Sequence, residues 1–309
     1  MAHESYKASA PGNLMLLGEH AVLYNHLAMA CAVTRRISIR LTPRTDTQIL
    51  LVSALGNYRT DLDNLENKRP FQFVLNAIEF YSDRLSTGFD LKIESEFSDQ
   101  VGLGSSAAVS VATHAVLRSW LEESLEEKKL FTASRQTTLK VQGIGSGADV
   151  AASVYGGIVA YRMDPLYTKK LDRIHPITVV YSGYKEPTVK VIEQVRQNME
   201  KDPARFDELY HTINQSVHTA VQAINDQEWL SLGILFNVNH GIMEIMGVHT
   251  DRLDAIVKGL RSQPDILGAK ISGSGLGDCV VGLGMIEKST NIPGERLDVD
   301  MSSEGVRFE

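Results

Sequence analysis

Val101-Gly102-Leu103-Gly104-Ser105-Ser106-Ala107-Ala108-Val109-Ser110 is the stretch on which the fold turns. Its glycines end a strand-like run, and the small residues after them lead directly into a helix-like run. Such a turn aims several backbone N–H groups and a helix N-terminus at one point, which binds an anion without a lysine. Ser105 and Ser106 add two hydroxyls there, each able to reach a phosphate oxygen or a metal ion. On this stretch alone, a tight turn with close helix packing is the plain alternative. Gly102-x-Gly104-x-x-Ala107 also satisfies the dinucleotide fingerprint, with Glu122 about twenty residues further on. That fingerprint needs its acid at the end of a second strand. Glu122 lies instead in Ser119-Trp-Leu-Glu-Glu-Ser-Leu-Glu-Glu, which reads as a solvated helix, so a nicotinamide-dependent dehydrogenase rests on a weak match.

Working outward, Phe89 to Phe97 alternates strictly, which indicates a sheet with one wet face. Pro70 opens a helix with Phe73, Val74, Ala77, Ile78 and Tyr81 at helical spacing. Further upstream, Tyr6 to Ala10 is a short strand broken by Pro11-Gly12, and the apolar run Leu14 to Leu17 ends at Gly18-Glu19-His20. Arg35 to Leu41 and Ile49 to Val52 are strands, and Asp61 to Arg69 is a charged loop. Downstream of the opening stretch, helices run from about Ser105 to Glu127 and from Leu130 to Val141. Gly143-Ile-Gly-Ser-Gly-Ala148 is a second glycine-rich turn, after which Asp149 opens a small-residue helix. Ile158 to Tyr161 is a strand and Pro165 to Lys170 a linker. Past it come the strand Ile177 to Tyr181 and four helices: Thr188 (as N-cap) to Met199, Phe206 to Asn225, Trp229 to Met246 and Asp251 to Leu260. A third glycine-rich turn lies in Gly268 to Gly277, followed by a strand from Cys279 to Leu283 and a closing edge strand within Arg296 to Phe308.

At 309 residues two domains are expected, and 31 basic against 38 acidic residues leave a net charge of −7. No basic field attracts nucleic acid or an anionic membrane, so local devices must hold any anionic ligand. Cys31 and Cys279 form neither a metal cluster nor a disulfide framework. With no apolar leader and no run approaching a membrane span, a cytoplasmic protein is expected.

Asp149 is the candidate base, flanked by small residues that let a ligand approach the backbone. An N-cap aspartate without chemistry is the alternative, and the helix dipole is expected to lower its pKa. Glu19-His20 is a candidate ligand pair or a buried, satisfied histidine. Lys185 is a cation on a turn, Asp278-Cys279 follows the third glycine turn, and Ile242-Met-Glu-Ile-Met246 reads as core.

Three glycine-rich segments at these separations are far more specific than any one. With Ser9-Ala-Pro-Gly, Gly18-Glu-His-Ala-Val, Gly102-Leu-Gly-Ser-Ser-Ala-Ala and Lys270-Ile-Ser-Gly-Ser-Gly-Leu-Gly, the chain resembles the GHMP small-molecule kinases from end to end. Gly18-Glu-His-Ala-Val-Leu-Tyr, Lys140-Val-Gln-Gly and Asn237-Val-Asn-His-Gly-Ile-Met-Glu-Ile-Met-Gly-Val resemble the mevalonate kinases among them. Gly145-Ser-Gly-Ala-Asp-Val-Ala-Ala-Ser-Val-Tyr-Gly-Gly and Gly277-Asp-Cys look more like phosphomevalonate kinases.

The resemblance implies an α+β fold with an N-terminal ribosomal-S5-domain-2-like domain (1–168) and a C-terminal ferredoxin-like domain (169–309). It implies that Val101, Gly102, Leu103, Gly104, Ser105, Ser106 and Ala107 wrap the phosphates of ATP, with Ser106 or Ser105 on Mg²⁺. Asp149 and Asn13 are the implied catalytic pair, and Glu19, His20, Ser146, Lys185, Ser272, Gly273 and Gly275 the substrate side. Mevalonate or phosphomevalonate is the implied acceptor, with neither nucleic acid nor membrane as partner and a homodimer as the implied assembly. Two positions depart from the mevalonate kinase pattern: Asn13 stands where a Lys is usual, and Thr138 where a metal-binding Glu is frequent. Asn13 cannot neutralise a phosphate, while Mg²⁺ tolerates the loss of a carboxylate because it keeps waters. These departures leave a non-catalytic nucleotide- or metabolite-binding paralogue as the reading from another class.

Overall fold

The computed structural model describes residues 5–287 and 290–309. Two sheets organise them. The first holds β1 (Tyr6–Leu17), β2 (Ala28–Pro43), β3 (Gln48–Ser53), β4 (Gly56–Asp61), β5 (Phe89–Ser95), β6 (Ile158–Arg162) and β7 (Tyr167–Leu171), with β12 (Arg307–Phe308) at its edge. Its main path runs β12-β1-β2-β5-β3-β4, and β6 pairs with the opposite end of β2 from β5. All pairs are antiparallel except β3 with β5. The strict alternation of β5 matches that role: Phe89 and Leu91 are buried while Lys92 is exposed.

Helices α1 (Gln72–Glu79), α2 (Ser105–Trp120), α3 (Glu127–Gln142) and α4 (Ala148–Tyr155) accompany this sheet. α2 and α4 pack on β1 and β2 through small buried residues (Ala107, Ala108, Ala112 and Ala115 from α2; Ala151 and Ala152 from α4). Small side chains let helix axes lie close to the strands, which brings both helix N-termini to the same end of β1.

The second sheet takes β8 (Ile177–Tyr181), β9 (Gly268–Ser272), β10 (Cys279–Leu283) and β11 (Glu295–Leu297) in the order β11-β8-β10-β9, all antiparallel. Numbered in chain order this is 4-1-3-2, as a ferredoxin-like sheet requires. Helices α5 (Thr188–Lys201), α6 (Pro203–Asn225), α7 (Trp229–Met246) and α8 (Asp251–Arg261) lie between β8 and β9 in sequence. α7 and α8 pack on β9, their buried Phe236, Met243, Ile256 and Leu260 joining one core with Ile271 and Val280.

Several local expectations change. Pro11-Gly12 bulges β1 without breaking it, because the register with β2 slips there while pairing resumes at Asn13. The Pro165 segment is not a linker: β7 folds back on β6 as a hairpin. Gly56 to Asp61 adds a strand, β4, that pairs with β3 and was not expected, and the charged loop follows it from Asp61. The α2 helix stops at Trp120, with Glu122 at φ +53° and Glu123 N–H closing on the Arg118 carbonyl at 2.9 Å. Thr188 is the first residue of α5, which Pro187 caps, and α1 starts at Gln72, two residues past Pro70. The closing strand is two pieces: β11 joins the second sheet, while β12 pairs with β1, and Met301 bridges to Val33. The expected division at residue 168 therefore falls inside β7, and the chain's end returns to the first sheet.

Candidate active site

The N-termini of α2 and α4 meet the turn between β9 and β10 around a cavity of about 210 Å³. Of the sequence-predicted residues, Asn13, Glu19, His20, Gly102, Gly104, Ser105, Ser106, Ser146, Asp149, Lys185, Ser272 and Gly273 line it. Val101, Leu103, Ala107 and Gly275 do not. Leu103 and Ala107 are buried in the core, and Val101 packs against the second sheet's core and accepts Cys279 Sγ–H at 3.0 Å. The Gly275 Cα abuts Val248, whose carbonyl would lie 2.3 Å from an added Cβ. Val101, Leu103 and Ala107 thus back the loop, and Gly275 backs the β9–β10 turn.

Gly104 caps α2 in the left-handed conformation (φ +65°), and an added Cβ would land 2.1 Å from Asn13 Nδ2. The amide of Asn13 thus lies flat against the phosphate-type loop, with its backbone N–H on the Leu103 carbonyl at 3.0 Å. Ser153 Oγ–H donates to the Pro11 carbonyl at 2.8 Å, so Ser153 can only accept from Asn13, at 3.0 Å. The single hydroxyl proton fixes the amide orientation, with Nδ2 toward α4. Ser105 and Ser106 hydroxyls have no hydrogen-bond partner among the described residues, which leaves them for ligand oxygens.

Asp149 is the second residue of α4, capped by Gly147. Its carboxylate accepts the Val150 N–H at 2.9 Å. Burial outweighs that bond and raises its pKa above the ordinary carboxylate value, the reverse of the dipole expectation. Arg135 packs against Gly147, the residue that caps α4. Its Nε donates to the Ser146 carbonyl at 2.9 Å, and the Tyr161 hydroxyl donates to the same oxygen at 2.6 Å. Arg135 lines the cavity and pairs with no carboxylate among the described residues. Sequence reading missed it. The available signal was its helical spacing with Thr138, Leu139 and Gln142 on α3, all of which line the same wall.

Glu19 and His20 have different tasks. Glu19 is buried and bound by Lys270, whose side chain is fully buried, and by Asn239 Nδ2 at 3.1 Å. It ties β1 to β9 and α7. His20 sits at φ +62°, ψ −51°, with the Ala21 N–H on the Glu19 carbonyl at 2.7 Å. That is a γ-turn of the strained kind, found where the surroundings over-determine it. Burial lowers the His20 pKa, so the ring is neutral, and Nε2–H donates to the Ser274 carbonyl at 2.8 Å. Nδ1 is then left as an acceptor.

On the far wall Asp278 is 6% exposed and stands over Gly102, 2.8 Å from the position of an added Cβ. Its Oδ1 is buried without a hydrogen bond and 3.9 Å from Lys185 Nζ. Burial lifts its pKa to about 6. The Ser274 hydroxyl is likewise buried and unpartnered. Unsatisfied oxygens beside a ring of N–H donors suit a hard cation carrying phosphate. The oxygens of Ser105, Ser106 and Asp278 fit Mg²⁺, which accepts few protein ligands when phosphates and waters supply the rest. Arg35 and Lys140, cations that would favour a phosphorylated acceptor if they clustered with Lys185, lie elsewhere, paired with Asp298 and Glu79 on the surface.

Two helix N-termini, a half-buried carboxylate and two cations around one cavity define a phosphoryl-transfer site, and the dinucleotide reading falls away. Comparison with known proteins agrees. Residues 72–157 match the model "GHMP kinases N terminal domain" and residues 220–290 match "GHMP kinases C terminal". The mevalonate kinase of Pyrococcus abyssi is 30% identical over 98% of this chain and 97% of its own. Among solved structures, L. major mevalonate kinase in complex with R-mevalonate has a TM-score of 0.76 at 24% identity, covering 91% of this chain and 87% of that one. Streptococcus pneumoniae phosphomevalonate kinase with phosphomevalonate and AMPPNP has a TM-score of 0.76 at 19% identity, covering 92% and 93%. The last two likenesses show the fold. The chain belongs to the GHMP kinases.

Proposed function

We propose that this protein transfers the γ-phosphoryl group of ATP to the hydroxyl of mevalonate. The observation that carries the reading is Asp149 facing the Gly102–Ser106 loop across one cavity, in a chain similar over its whole length to mevalonate kinases. The N–H groups at the start of α2 and the Ser105 and Ser106 hydroxyls hold the triphosphate. The oxygens of Ser105, Ser106 and Asp278 would hold Mg²⁺, which would supply charge neutralisation for the triphosphate. Asp149 accepts the acceptor hydroxyl's proton as the oxygen attacks, and its raised pKa makes it a better base than an ordinary aspartate. The loose transition state asks mainly for position, which α4 supplies by holding the carboxylate on its first turn. Arg135 and Lys185 supply the positive charge that Asn13 lacks, and Nδ1 of His20 accepts from the substrate.

Phosphomevalonate is the second reading, favoured by Asp278 and Cys279 after the third glycine turn. A phosphorylated acceptor needs a cation cluster, and Arg35 and Lys140 do not contribute to one. ADP release with R-mevalonate, phosphomevalonate and a panel of small alcohols separates these readings. Turnover with mevalonate supports the proposal. Preference for phosphomevalonate overturns the acceptor, and tight ATP binding without turnover overturns the kinase in favour of a binding paralogue.

A cytoplasmic location is part of the proposal, and no helix among the described residues is long and apolar enough to cross a membrane. So is a homodimer. Leu230, Ile234, Val238 and Ile245 form an exposed stripe along α7 that a second copy would cover, and sedimentation velocity tests it.

A further inference from the structure

Outside the cavity, His240, Glu244 and Asp254 bring three potential metal ligands together, with one donor atom from each lying within 4.8 Å of the others. His240 and Glu244 are one turn apart on α7 and share a face. Asp254 comes from the first turn of α8 across the short connection. His240 Nε2 lies 3.5 Å from Glu244 Oε1 and 3.9 Å from Asp254 Oδ1. Two ligands of a tetrahedral ion, each about 2.0–2.1 Å from it, stand about 3.4 Å apart. Two of the three donor pairs are therefore near coordination spacing, with the third inside 4.8 Å.

A second observation points to a ligand. His240 is 2% exposed, its Nδ1 is buried without a hydrogen bond, and its Nε2 faces the two carboxylates. Asp254 Oδ1 is likewise buried without a partner. Its other oxygen is held, since His249 Nδ1–H donates to Asp254 Oδ2 at 2.7 Å, which leaves Oδ1 turned toward His240. An outer imidazole orienting a ligating carboxylate is a common support of metal centres. Of the nearby cations, Lys270 is bound to Glu19, while Arg261 donates to the Ala269 carbonyl at 2.8 Å and lies within electrostatic reach of Glu244.

We propose that His240, Glu244 and Asp254 bind a divalent transition-metal ion of the Zn²⁺ class, with His249 positioning Asp254. The ion would pin α7 to α8. One imidazole and two carboxylates favour such an ion over Mg²⁺, which prefers oxygen alone.

The test uses untagged full-length protein, freed of metal with a chelator and titrated with ZnCl₂ without nucleotide, by calorimetry and thermal melting. One Zn²⁺ per chain and a raised Tm are expected, unchanged by excess Mg²⁺. His240→Ala should abolish binding, His249→Ala should weaken it about 10–100-fold, and Glu244→Gln should weaken it at least about tenfold. Glu244 is half-exposed at the helix surface, so its variant should keep its circular dichroism spectrum and its turnover with Mg·ATP even if His240→Ala fails to fold. No bound Zn²⁺, or wild-type Zn²⁺ affinity in Glu244→Gln, overturns the proposal.

Discussion

Replacing Gly104 by alanine tests how the loop is held. The position is left-handed at φ +65°, ψ +36°, which costs a residue with a Cβ about 1–2 kcal/mol. The new methyl would also meet Asn13 Nδ2 at 2.1 Å and its Cγ at 2.4 Å, so the amide must move. Moving it breaks the 3.0 Å bond to Ser153 Oγ inside the protein, worth about 1–3 kcal/mol when a buried group is left unsatisfied. Gly104→Ala should thus destabilise by about 2–5 kcal/mol. In an Asn13→Ala background the collision is gone and only the backbone cost remains, so the same change should cost about 1–2 kcal/mol. Urea unfolding of the four proteins gives the coupling directly. An equal cost in both backgrounds, or a cost near zero for Gly104→Ala, would refute the packing of Asn13 on the loop.

Other outcomes follow from the buried charges. Asp278 has its pKa raised from 3.8 to about 6, so the folded state favours the protonated form, and stability is lost as pH rises through that window. Asp278→Asn should therefore be more stable than wild type at pH about 7.5, by up to about 3 kcal/mol, with no gain at pH about 3.5. Unfolding at the two pH values checks the sign. Lys270→Met strands the Glu19 carboxylate and should cost about 3–5 kcal/mol, while Glu19→Gln with Lys270→Met together should recover much of it. Equal instability of the single and double variants would contradict that pairing. Because the ionised form of Asp149 is the base, kcat should fall as pH drops through a pKa above the ordinary aspartate value. A flat acid limb down to pH about 4 would remove Asp149 from proton transfer.

Much of this site is legible in the chain because it is built from local devices. A glycine turn opening a small-residue helix shows itself within ten residues, and the three such turns fixed the N-termini of α2 and α4 and the β9–β10 hairpin. The place of Asp149 on the cavity is legible the same way. Arg135 is not, since its helical spacing with Thr138, Leu139 and Gln142 marks a shared face, but only the packing of α3 against the Ser146 turn shows that this face lines the cavity. Glu19 reads as a ligand beside His20, yet its partner Lys270 is 251 residues away, and burial of the pair is a tertiary fact. The β7 hairpin was hidden by Pro165, and the split ending of the chain by a single alternating pattern that serves two sheets. The Asp149 pKa runs against expectation because the helix end is a local feature, whereas the desolvation that outweighs it comes from tertiary packing.

The most direct measurement follows ATP and R-mevalonate by ³¹P NMR with wild-type protein and Asp149→Asn. The account predicts ADP and a new phosphomonoester in equal amounts from the wild type. For the variant it predicts turnover lower by about two or more orders of magnitude, with ATP affinity little changed. Inorganic phosphate in place of the ester, or a variant as fast as wild type, would contradict it.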